Sequence, residues 1–134
     1  MALSVTVLDS WAMVAFLEDE PAAKKVEEIL ISALEADTQL IMSVINLGEV
    51  WYSIARAHSP GEADTAVDKV VTLGVEILPA DWELTHKASQ FKARHKIAYA
   101  DCFAAALAVG QNAELVTGDP EFGQLESEVN IIWL

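Results

Sequence analysis

I-A-Y-A-D-C-F-A-A-A-L-A-V, residues Ile97 to Val109, sets a single carboxylate, Asp101, into an otherwise apolar, alanine-rich segment that reads as a helix. A lone ionised carboxylate taken out of water needs a cation, hydrogen-bond donors or a metal beside it, or it protonates. Ala105 and Ala108 fall at i+4 and i+7 on the same helical face as Asp101, so that face can lie close against a sheet and deliver the carboxylate to the sheet edge. The plainer account is that Asp101 occupies the first helical turn, where the dipole favours a negative charge.

Around this segment the chain alternates strand-like and helix-like stretches. Leu3 to Leu8 is apolar, β-branched and of strand length, and it stops at Asp9-Ser10. A short helix is predicted over Ser10–Leu17, and Glu18-Asp19-Glu20-Pro21 breaks it. Pro21 suits a first helical turn, and Val26, Ile29, Leu30, Ala33 and Leu34 then recur with helical spacing to about Ala36. Gln39 to Ser43 reads as a second buried strand. Ser43 caps a third helix from Val44 to about His58, which Ser59-Pro60-Gly61 ends, and a fourth is predicted from Glu62 to Leu73. A third strand, Val75–Leu78, precedes a fifth helix from Asp81 to about Lys96. The Asp101 helix is the sixth, closed by Gly110-Gln111-Asn112. Glu114–Thr117 and Asn130–Trp133 complete five strands, with a brief helical segment after Gly118-Asp119-Pro120. Short strands apolar on both faces, alternating with helices, indicate a parallel sheet covered on both sides.

A chain of 134 residues with 53% hydrophobic content is the size of one compact domain, expected here to span residues 1–134. The longest run without a charge, Cys102 to Ala113, falls well short of the ~20 residues that cross a bilayer, so no membrane helix is predicted. Met1 to Asp9 lacks the basic start of a secretory signal, and a cytoplasmic protein is expected. Cys102 is the single cysteine, which excludes an intramolecular disulfide, and its apolar surroundings predict a packed thiol. The formal charge of -13 argues against a general nucleic-acid binder. Lys87, Lys92, Arg94 and Lys96 nevertheless gather between His86 and Lys96 with no acid among them. They are candidate contacts for the phosphates of a polyanion, or cations drawn to a helix C-terminus.

Ligands of open parallel sheets bind beyond the carboxyl ends of the strands, where the strand order reverses. Asp9 follows the first strand and Asp119 the fourth, so neighbouring strands there would bring both into one crevice. Asp101 arrives on the helix before the fourth strand. Glu49 lies about two turns into the third helix, on a face shared with Asn46 and Ser53. Each acid has an ordinary use as a cap or a solvated residue, but four converging carboxylates are stable together mainly around a hard cation such as Mg²⁺. His58, His86 and His95 lie outside these positions, which weighs against zinc.

V-L-D-S at Val7 to Ser10, N-L-G-E-V at Asn46 to Val50, A-D-C-F-A-A-A-L-A at Ala100 to Ala108 and T-G-D-P-E-F at Thr117 to Phe122 occur in this order along nearly the whole chain. In this the sequence resembles the PIN-domain ribonucleases, and among them the VapC-type toxins of toxin-antitoxin modules. The resemblance implies a three-layer α/β/α sandwich on a five-stranded parallel sheet, in a form that is usually dimeric. It implies Mg²⁺, or Mn²⁺, held by Asp9, Glu49, Asp101 and Asp119 as metal ligands and catalytic residues, with Thr117, Ser10 and Asn46 as auxiliary polar groups. Cys102-Phe103 departs from the family, in which small residues are commoner at that place.

The implied activity is endonucleolytic hydrolysis of RNA without a protein nucleophile, in which carboxylate-held metal activates water and offsets charge in an in-line displacement. The implied partner is a VapB-like antitoxin whose basic tail enters the acidic crevice, with Trp11, Trp51 and Tyr52 as its apolar surroundings. Two other classes also gather acids at parallel strand ends. A phosphatase would want a second Asp two residues after Asp9, where Trp11 stands, and a receiver domain would want a Lys after a late strand. A non-catalytic acidic module that binds a basic peptide is the third reading.

Overall fold

The computed structural model describes residues 4–134. Five strands, β1 Val5–Leu8, β2 Gln39–Ser43, β3 Glu76–Leu78, β4 Glu114–Thr117 and β5 Ile131–Trp133, form one sheet in the order β3-β2-β1-β4-β5. All four pairings are parallel, with Val7 opposite both Ile41 and Leu115. The chain winds outward from β1 to β3 on one side and places β4 and β5 on the other, so the order reverses between β1 and β4. Asp9 and Asp119 follow those two strands.

The period-two alternation of the strands assigns each face its helices. Val7, Ile41 and Leu115 point to one side, where they meet α5 Trp82–Arg94, α6 Tyr99–Gly110 and the 3₁₀ turn Pro120–Leu125. Leu8, Leu40, Met42 and Val116 point to the other, against α1 Ser10–Leu17, α2 Ala23–Glu35, α3 Val44–Ala57 and α4 Pro60–Thr72. The result is a PIN-like α/β/α sandwich. Ala104, Ala105, Ala106 and Ala108 of α6 are all at most 1% exposed, and Cys102 is a buried free thiol. Small side chains let α6 cross the sheet closely and set its N-terminal turn, with Asp101, over the switch point. No helix among the described residues is long and apolar enough to cross a membrane.

The chain enters strands β2, β3 and β4 through turns that hold one residue at positive φ: Asp37, Gly74 and Asn112. Asp and Asn tolerate that conformation better than most side chains, and glycine has no penalty there. Several boundaries differ from those read in the sequence. Ser59-Pro60-Gly61 does not merely end α3: Ser59 accepts a hydrogen bond from the Glu62 N–H and Pro60 opens α4, so the same three residues begin the next helix. Pro21 precedes α2 by a turn instead of lying in it, Asp81 is the cap of α5 and not its first residue, and α5 ends at Arg94. Leu3 lies outside the described residues.

Overpacking the close contact of α6 should cost stability. Ala105→Leu is expected to lower the folding free energy by about 1–3 kcal/mol, seen as a lower urea midpoint, whereas Val109→Ala at the exposed end of the helix should change it by less than about 0.5 kcal/mol.

Candidate functional site

Asp9 is the N-cap of α1. Its Oδ1 accepts the Ala12 N–H at 2.8 Å, and the residue is 2% exposed. Asp119 caps the 3₁₀ turn by accepting the Glu121 N–H at 2.9 Å, while its own N–H donates to the Thr117 hydroxyl at 3.1 Å. Asp101 stands in the first turn of α6, whose N-cap is Ala98 and has no side-chain acceptor. The unpaired amides of that turn favour an anion.

Glu49 is held from several sides. Its Oε1 accepts Ser10 Oγ at 2.8 Å and Asn46 Nδ2 at 3.0 Å, and its Oε2 accepts the Tyr52 hydroxyl at 3.4 Å. Asn46 is fully buried. Its Nδ2 also donates to the Ala100 carbonyl at 3.1 Å, and its Oδ1 accepts Ser43 Oγ at 2.6 Å. This one amide therefore ties the end of β2, the Glu49 carboxylate and the start of α6 together.

Three of the four acids read from the sequence, Glu49, Asp101 and Asp119, line one cleft, and Asp9 lies outside its lining. Ser10, Trp11, Val14, Glu20, Glu49, Ser53, Ala98, Asp101, Asp119 and Glu121 line one cleft of about 380 Å³; five of them are acids and none is Lys or Arg. Carboxylate oxygens of Asp101, Asp119 and Glu121 all lie within 4.8 Å of one another. Burial raises the Asp101 carboxyl to about 7, reinforced by the charges of Asp119, Glu49, Asp9 and Glu121. Burial likewise raises Asp9 to about 7; hydrogen bonds from Thr117 and Ala12 oppose the shift, and the charges of Asp119 and Glu49 add to it. Asp9 thus belongs to the group electrostatically although it lies behind the cleft wall.

Glu121 and Glu20 were not singled out in the sequence. Glu121 sat inside the quoted Thr117–Phe122 stretch, two residues beyond Asp119, and a turn opening at Pro120 was signal enough to fold it back onto the same site. The basic segment is not in the cleft. Lys92 Nζ donates to the Ile97 carbonyl at 2.7 Å, Arg94 pairs with Glu128, Lys96 is exposed, and Lys87 lies beside Gly110 at the opposite end of α6 from Asp101. Trp51 donates its indole N–H to Asp64. A more apolar groove of about 620 Å³, lined by Phe16, Leu30, Leu34 and Leu73 among others, includes none of the four acids.

The donor set is all oxygen, and 4.8 Å suits ligands on one ion, since two oxygens about 2.1–2.5 Å from a hard cation are at most ~5 Å apart. The residues fit Mg²⁺ or a similar ion. Beside the switch point of this parallel α/β/α sandwich the cleft collects five acids and no Lys or Arg, a donor set of the kind hard divalent cations take. The chain belongs to the PIN domain family, whose model matches residues 6–127. No curated protein matches the sequence. Among solved structures, VapBC2 from Rickettsia felis, bound to a DNA fragment from its promoter, aligns with a TM-score of 0.75 at 17% identity, over 97% of this chain and 98% of that one. VapC20 from Mycobacterium tuberculosis, a sarcin-ricin loop cleaving toxin, aligns at 0.69 and 17% over 90% and 94%. FitAcB from Neisseria gonorrhoeae aligns at 0.70 and 22% over 95% and 96%.

The raised carboxyls fix the sign of a pH effect. A carboxyl at about 7 when folded and 3.8 when unfolded contributes stability at low pH that is lost as pH rises from about 4 to 7. Metal-free protein should therefore melt lower at pH 8 than at pH 5.5. Asp9→Asn keeps the helix cap and should raise the melting temperature at pH 8 by about 3–6 °C, by about half as much at pH 5.5, and by little at pH 4. An unaltered melting temperature for the variant at pH 8 would mean that the buried charge is not strained.

Proposed function

We propose that the protein is a Mg²⁺-dependent endoribonuclease, with Mn²⁺ as an alternative ion, that acts as the toxin of a toxin-antitoxin pair in the cytoplasm. The observation that carries this reading is the group of five acids with no neighbouring cation beside the switch point of a PIN domain. Asp9, Glu49, Asp101 and Asp119, with Glu121, would hold the metal. When bound, it supplies a lowered pKa for water and charge neutralisation at the phosphodiester.

The chain's own groups prepare the site. Ser10 and Asn46 fix one oxygen of Glu49 and leave Oε2 to the weaker Tyr52 contact. Thr117 sits behind Asp9 and Asp119, donating to one and accepting from the amide of the other. Neither Ser10 nor Cys102 is placed as a nucleophile: Ser10 Oγ donates to a carboxylate, and Cys102 is packed away with its thiol pushed up by burial. Lys92, Arg94 and Lys96 are proposed to meet phosphates farther along the RNA, and Lys87 farther still. A homodimer belongs to the same reading, with the exposed Val44 and Trp51 of α3 as part of its apolar surface.

Asp101→Asn and Asp119→Asn should each reduce Mg²⁺-dependent cleavage by roughly 100-fold or more, because the metal supplies several kcal/mol at the transition state. They should also abolish the rise in melting temperature on adding Mg²⁺. Glu49→Gln should do the same to a comparable or slightly smaller degree. Wild-type cleavage rates in these variants would show that the site is misplaced.

A similar structure from Klebsiella pneumoniae is a toxin-antitoxin complex, and the charge of -13 favours a basic partner here. A guanidinium can bridge converging carboxylates with two hydrogen bonds, while the apolar groove beside Leu34, itself 84% exposed, offers surface for the remainder of the partner. Coexpression with the small protein encoded next to it should give a complex without nuclease activity, and changing the arginines of that tail to alanine should weaken it. A complex that cleaves RNA at the rate of the free protein would rule out a plugged cleft.

A further inference from the structure

The cleft lacks a conventional handle for nucleic acid. None of its lining residues is Lys or Arg, and two basic groups outside it have other partners: the Arg56 guanidinium lies 4.9 Å above the Tyr52 ring and Lys92 is bonded to a carbonyl. Phosphate contacts close to the acids are therefore few, and whatever orients the nucleotide beside the metal must act without positive charge. Aromatic stacking does so, and every base has a face to offer.

Four aromatics lie near the site, and three are committed elsewhere. Trp51 donates to Asp64, Tyr52 lies under Arg56 with its hydroxyl on Glu49, and Tyr99 packs edge-on to Phe103 with its hydroxyl on Ser89. Trp11 differs from them. It lines the acidic cleft in the first turn of α1, is 37% exposed, and its indole N–H has no partner among the described residues. Its six-membered ring presses on Gly118, between Thr117 and Asp119, so closely that a β-carbon at 118 would overlap Cζ3 and Cη2. Glycine at 118 leaves room for the ring, and the ring is held on the rim with little freedom left to lose on binding.

We propose that Trp11, held against Gly118 at the rim of the acidic cleft, is the stacking surface for an unpaired nucleobase next to the scissile phosphate. This rests on the ribonuclease reading. A duplex keeps its bases stacked on one another and offers none to the indole, whereas a loop or tail can turn one out at small cost.

The test measures binding of fluorescein-labelled oligoadenylate to the whole chain in Ca²⁺ buffer, beside the same oligomer with one abasic position and a duplex RNA. Wild type should bind the intact single strand best and lose roughly 10-fold or more when the base at the bound position is removed. Trp11→Phe should stay within about threefold of wild type, while Trp11→Leu should bind intact and abasic oligomers equally weakly. The proposal is overturned if wild type does not distinguish intact from abasic or duplex RNA, or if Trp11→Leu keeps the distinction. The wild-type arm needs no variant to fold. Absence of binding to every RNA would instead remove the ribonuclease reading on which the proposal stands.

Discussion

The burial of carboxylates beside one another is the constraint on which the rest of the structure depends: removal from water first, and the neighbouring charges after it, raise Asp9 and Asp101 to about 7. Holding even Asp9 charged in the metal-free fold costs on the order of a few kcal/mol, a sizeable part of the net stability of a small domain. Such a cluster persists only if the scaffold leaves the acids no means of moving apart. Here each is fixed by an element whose position is decided elsewhere: Asp9 by capping α1, Asp119 by capping the 3₁₀ turn, Asp101 by a helix of buried alanines, Glu49 by two hydrogen bonds to one oxygen.

Asn46 shows how that fixing is shared. A buried amide must have its hydrogen bonds met, and this one meets them on three separate parts of the chain: Ser43 at the end of β2, Glu49 one turn along α3, and Ala100 at the start of α6. Satisfying the amide therefore sets the spacing between Glu49 and Asp101. An aspartate there would add a further charge and lose both donated bonds; an alanine would take the side-chain donor from the Ala100 carbonyl and leave Glu49 Oε1 to Ser10 alone. The polar residue next to the acids is as much a structural part as the alanines are.

Much of this was legible in the sequence because it depends on short-range patterns. Strand alternation, the Ser43 cap, the alanine face of α6 and acids just past strand ends are local signals, and the parallel topology converts them into one site. What was not legible depended on distances between elements. Ser59-Pro60-Gly61 carried a stop and a start at once, and only the spacing of α3 and α4 in space decides that it serves both. Glu121 looked like a residue of a short helix, and its return to Asp119 follows from the tightness of the 3₁₀ turn. The cluster of four cations reads as one basic segment in the sequence, whereas in the fold Arg94 pairs with Glu128, Lys92 bonds a carbonyl and Lys87 stands at the far end of α6, so the four do not face the cleft together. Composition reports charge and does not say which way it faces.

That distinction bears on how so acidic a chain could act on RNA at all. At long range the charge of -13 opposes a polyanion, with an effect that salt screens over about 10 Å. Within the cleft the balance is local: five acids and no Lys or Arg repel a phosphate, and on the proposed function a divalent ion there would remove most of that repulsion. On the proposed reading the metal and the RNA then favour each other's binding by the same factor, as linkage requires. The strain that the metal-free fold carries in Asp9 and Asp101 is relieved by the same ion, so cation binding lowers both costs at once. An arginine of a basic partner would relieve the acids in the same way while leaving no place for the metal, and substrate, cofactor and inhibitor would then compete for one set of carboxylates.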